Sequence, residues 1–150
     1  MRRNTNSWLI VTVFVLLSFS NITFAIDNPD APDLVAEFKA REKSLIAAAE
    51  NPNNGYRDYL LAYTSYLEFL DKELNTVYQN LRSKLPEDQK KQLKDSQVNW
   101  IKYRDFEFEF IENTWTKADF GSSSSISRGQ YKASVVRDRV IQLMHYSVAY

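Results

Sequence analysis

From Leu60 to Ile111 the apolar side chains return every three or four residues, and the rhythm is interrupted once, at Pro86. Leu60, Tyr63, Leu67, Leu70, Leu74, Val77 and Leu81 make the first stripe; Leu93, Gln97, Trp100, Arg104, Phe108 and Ile111 make the second. This spacing predicts two long helices, about Tyr56–Leu85 and Pro86–Thr114, each with one inward face. A connection this short makes them antiparallel neighbours. Upstream, Asp30-Ala-Pro-Asp33 combines a capping carboxylate with an early proline and starts a helix over Leu34–Glu50, with Leu34, Phe38, Leu45 and Ala49 on one side. Asn51-Pro-Asn-Asn-Gly55 stops it. A last helix, Ser127–Tyr146, brings Tyr131, Val135, Val136, Val140, Leu143 and Met144 near one face and can cover the groove between the central pair. No strand alternation persists. The expected fold is all-α: an antiparallel bundle built on a long αα-hairpin, plus an N-terminal and a C-terminal helix.

The second stripe carries an amide and a guanidinium at core positions, and buried polar atoms without partners cost about 1 to 3 kcal/mol each. A hairpin centred on Pro86 sets Asn75 opposite Gln97, Glu68 opposite Arg104, and Asp71 opposite Ile101, one turn from Arg104. Glu68, Asp71, Asn75, Gln97 and Arg104 are therefore expected to form a polar clasp between the two helices, with Arg104 forking onto one or both carboxylates. An acid–base site is the other reading of these carboxylates. No nucleophile or histidine accompanies them, which favours the clasp.

The first 25 residues change the picture. Arg2 and Arg3 precede the apolar run Trp8–Phe19, and Thr23-Phe24-Ala25 supplies a small-residue cleavage signal. The run is well short of the ~20 residues a membrane-spanning helix needs. The expected division is 1–25 signal peptide, 26–55 N-terminal helical arm and 56–150 helical domain, with the product in the periplasm or outside the cell. Removing Arg2 and Arg3 from a balance of 19 basic and 19 acidic residues leaves a small acidic excess, which argues against nucleic acid. Nine Tyr, nine Phe and three Trp are a high aromatic load, of which some is expected to pack the core and the remainder to supply contact surface.

The residue order also resembles the LprI-type family of bacterial secreted and envelope proteins. It does so through Asp71, Glu73, Leu74, Asn75 and Tyr78, then Gln97, Trp100, Arg104 and Asp105, then Gly121 and Ser122, and finally Arg139 and Leu143. These span about Tyr56 to Tyr146. The resemblance implies a small secreted helical binding protein related to lysozyme inhibitors. Family members commonly carry cysteines where this chain has Phe108 and Tyr131, so the resemblance implies an aromatic contact in place of a disulfide. The absence of cysteine also leaves no thiol for lipid, so a lipoprotein is not expected.

Catalytic chemistry is not expected. His145 has no acidic or hydroxyl partner in sequence, metal-ligand spacings are absent, and the serines have no nucleophile-elbow context. The acids Asp105, Glu107, Glu109 and Glu112 could attract calcium, but 107 faces away from 105 and 109 on a helix, so a solvated face is the better reading. No catalytic residue, metal or cofactor is assigned, and the expected partner is a protein. Two classes remain: an inhibitor that blocks a peptidoglycan hydrolase by surface docking, or an immunity protein neutralising another secreted toxin or envelope enzyme. The candidate contact residues are the segment Gly121, Ser122, Ser123, Ser124, Ser125 and Arg128, read as an exposed connector or as a probe entering a partner's cleft. Glu107, Glu109 and Glu112 join them as an acidic docking face.

Overall fold

The computed structural model describes residues 32–150, so the signal-peptide reading of residues 1–25 lies outside the described residues. Helix α1 is Leu34–Ala49, α2 Tyr56–Lys84, α3 Glu87–Thr114, α4 Lys117–Phe120 and α5 Ser123–Ser147. No strand occurs among the described residues. The chain is all-α. The boundaries follow local chemistry: the Asp33 side chain accepts from the Ala36 amide at 2.9 Å at the start of α1, and Asp58 reaches back to the Gly55 amide at 3.0 Å at the start of α2. Leu85 is held extended before Pro86, and there α2 ends.

The core gathers Phe38 of α1, Leu70, Leu74, Val77 and Leu81 of α2, and Val136, Val140, Leu143 and Met144 of α5. Helix α5 lies along α2 in the same direction. Near their starts the Tyr56 hydroxyl meets the Ser125 hydroxyl at 3.0 Å, and toward their ends Val77 and Met144 line one cleft. At Gly129 an added Cβ would stand 2.7 Å from Tyr63 Cγ, so glycine permits this approach. Helix α1 runs antiparallel across both, and the bidentate Arg41–Glu73 pair at 2.8 Å ties it to α2.

One expectation changes here. Helix α3 does pass antiparallel to α2, but it rests on α5 and has no extended contact with α2. Only Leu93 and Ile111 of its side chains are buried. The buried apolar side chains are concentrated on α2 and α5 whereas the α3 stripe is interrupted by Gln97 and Arg104, so pairing α2 with α5 is the way to remove more apolar surface from water. The start of α2 also differs, with Leu60 exposed and Tyr66 buried in its place. No helix among the described residues is long and apolar enough to cross a membrane.

Candidate functional site

With α5 between α2 and α3, the expected clasp does not assemble. Arg104 donates to its neighbour Asp105 at 2.7 and 3.0 Å and lies over the Trp100 and Phe108 rings. The Asn75 amide returns to the Asp71 carbonyl of its own helix at 2.9 Å. Glu68 and Asp71 are exposed. Gln97 is the one member that bridges helices, and its carbonyl accepts from Arg139 Nε of α5 at 3.1 Å. Ser96 and Gln142 take two further guanidinium donors. Arg139 is only 6 % exposed, and burial pushes it below the ordinary arginine range.

The ionic centre of the fold is elsewhere. Glu42 of α1, 1 % exposed, accepts two donors of Arg137 from α5 at 2.6 to 3.1 Å and the Tyr66 hydroxyl from α2 at 2.7 Å. Burial, and then the hydrogen bond to Glu42, push the Tyr66 phenol well above its ordinary range, so it remains a donor. The hydrogen bond to Glu42 likewise raises Arg137. The signal for Glu42 was present in the chain, because Phe38, Glu42, Leu45 and Ala49 share a helix face. A carboxylate there requires a partner, but nothing in the spacing says which helix supplies it.

The serine segment is not an open loop. Gly121, with φ of 62°, ends α4; Ser122 caps α5, and Ser123, Ser124 and Ser125 form its first turn. The Ser123 and Ser124 hydroxyls donate to the Phe120 and Gly121 carbonyls at 2.6 and 2.8 Å. Ser124 is buried and Ser125 is engaged by Tyr56 and Arg128. Hydroxyls that bond locally to backbone stabilise this turn rather than remain free for a partner. The acidic face is also divided. Glu112 pairs with Arg128 at 2.9 Å and with Lys132, which joins two candidate contact residues to each other. Glu109 stays exposed, and Glu107 turns toward the opposite flank.

On that flank the rings gather. Tyr131 does not meet Phe108. It stacks on Trp115 at 5.3 Å with planes 19° apart, while Lys132 sits over the Phe108 ring. One residue along a helix is a rotation of 100°, enough to exchange the two partners. Phe110, Trp115 and Tyr131 then wall a groove of about 320 Å³ between α3 and α5. Beside it Tyr103, Phe106 and Phe110, spaced three and four apart on α3, form an outward aromatic face, with Phe106 and Phe110 72 % and 65 % exposed. Phe106 and Phe110 are the most exposed aromatic rings among the described residues. Among the described residues no group of His, Cys, Asp and Glu is arranged to hold a metal ion, and His145 is exposed.

Several motif residues behind the family resemblance hold the fold together. Glu73 fixes α1, Gln97 and Arg139 join α3 to α5, and Leu74 and Leu143 are core. Neither the curated proteins nor the solved structures contain a match to the chain. A family model described as lysozyme inhibitor LprI matches residues 47–143, from the last turn of α1 through most of α5. The chain belongs to the lysozyme inhibitor LprI family.

Proposed function

We propose that this protein is exported to the bacterial envelope and there blocks a peptidoglycan hydrolase of the lysozyme class by docking on its surface, without chemistry of its own. The observation that carries the reading is the match over residues 47–143 to a family described as lysozyme inhibitor LprI. The outward face of α3 supports it. Large exposed rings on a rigid helix provide contact area at little cost in side-chain entropy, and aromatic anchors dominate most protein interfaces. Glu107 and Glu109 beside them suit a basic enzyme.

The test is clearing of a peptidoglycan suspension by lysozymes of several classes, with the protein added at rising concentration. Inhibition should saturate. Phe106→Ala with Phe110→Ala should weaken binding by about 2 kcal/mol or more, roughly thirtyfold, at unchanged melting temperature. Failure of the wild-type protein to bind or slow any lysozyme class would remove this reading. Export is checked by the N-terminus of the periplasmic form, expected at Ile26.

A further inference from the structure

We infer that the groove between α3 and α5 is the anchor point for a single arginine or lysine side chain of the bound protein. The inference rests on the docking role proposed above and names the chemistry of the partner at one position. Phe110 and the stacked pair Trp115 and Tyr131 form its walls, and Ile111 and Val135 supply aliphatic surface. Glu107 lines it. Asp138 follows on the α5 face that carries Tyr131, Ser134 and Val135, one turn past Ser134.

Charge selects the occupant. Neither Glu107 nor Asp138 has an ion partner among the described residues, and no lysine or arginine lines the groove. The other flank of α3 is the opposite case, because Glu112 there already holds both Arg128 and Lys132. A purely apolar side chain entering the groove would desolvate Glu107 without replacing its water. A cationic side chain satisfies every wall: its stem lies along Ile111 and Val135, its charge faces the carboxylate, and the rings attract it through their negative faces. Because Tyr103 and Phe106 lie one turn before the groove residues Glu107 and Phe110 on α3, a partner lying on the aromatic face would bring one of its basic residues over the groove.

The test separates the groove from the inhibitor reading. NMR titration of the protein with tri-arginine peptide should give saturating shifts at the Trp115 indole N–H and at the Glu107 and Tyr131 amides, smaller shifts with tri-lysine and none with tri-glutamine. Glu107→Gln and Tyr131→Ala should each weaken that binding by about fivefold or more while the far-UV CD melt is retained. Equal response to tri-glutamine, or shifts that map elsewhere, overturns the inference. Against a basic lysozyme, Glu107→Arg should lower affinity by about tenfold or more, and the same reversal at exposed Glu68 of α2, away from the groove, far less. A Glu107→Arg protein that holds lysozyme as tightly as wild type overturns the groove and leaves the inhibitor reading standing. Tri-arginine binding in the groove without binding to any lysozyme supports the groove and removes the inhibitor reading.

Discussion

Replacing Arg137 by alanine should strand the most deeply buried carboxylate described in the protein. The Glu42 side chain is 2 % exposed and that of Arg137 29 %, so the two halves of the pair are not equivalent. Without Arg137, the Glu42 oxygens keep a single donor, the Tyr66 hydroxyl at 2.7 Å, in a site that water reaches only through the space the guanidinium leaves. Breaking a buried pair from one side costs about 3 to 5 kcal/mol. The partial exposure of Arg137 points to the lower half of that range. For a domain of this size each kcal/mol lowers the melting temperature by about 3 to 5 °C, so a loss of roughly 10 to 20 °C is expected in far-UV CD melts. Glu42→Gln removes the charge but keeps the shape and an acceptor for Tyr66, and it frees a guanidinium that can rehydrate. It should cost only about 1 to 3 kcal/mol. The double variant Glu42→Gln with Arg137→Met should be more stable than the sum of the single changes implies. Arg137→Ala within about 3 °C of wild type would refute this account. So would Glu42→Gln matching Arg137→Ala, because charge stranding could not then be the cause.

Other expected outcomes follow from the same contacts. Gly129→Ala places a methyl 2.7 Å from Tyr63 Cγ; overpacking of about 1 to 3 kcal/mol, set against a helix-propensity gain near 1 kcal/mol, should leave a net loss in urea melts, and a gain would show that α2 and α5 are not this close. Arg104→Ala should cost less than about 1 kcal/mol, because its ion partner is the exposed neighbour Asp105; a loss of 3 kcal/mol or more would restore the interhelical clasp. Alanine substitutions at Trp115 and Tyr131 should be coupled in a double-mutant cycle, and those at Phe108 and Tyr131 additive. The hydrogen bond from Lys132 holds the Glu112 carboxyl below the ordinary glutamate range. Its contribution is therefore present above that range and is lost as pH falls through the lowered value. Glu112→Gln should thus flatten slightly the acid limb of a stability-versus-pH curve, by less than a surface pair's usual 1 kcal/mol, and an effect confined to neutral pH would contradict the pairing.

The chain by itself determines the helices. The three- and four-residue spacing, Pro86, the Asn51–Gly55 breaker and the Asp33 cap are local features, and they act before any tertiary contact forms. The family motif is legible too, since it consists of residue identities at fixed separations. What the chain leaves open is which helix lies beside which. A short turn places α2 and α3 in sequence, but α5 takes the long contact with α2 because its apolar face is the fuller one. Every polar pairing drawn across the hairpin was lost for that reason, and Gln97 found Arg139 instead. The serine segment misled through composition: a glycine and four serines have few apolar atoms, yet hydroxyls that bond to carbonyls, with Ser124 buried, can open a helix as readily as they can decorate a loop. The aromatic face of α3 lay in plain view as Tyr103, Phe106 and Phe110. Its meaning did not, because periodicity shows that side chains share a face and only tertiary packing decides whether another helix covers it.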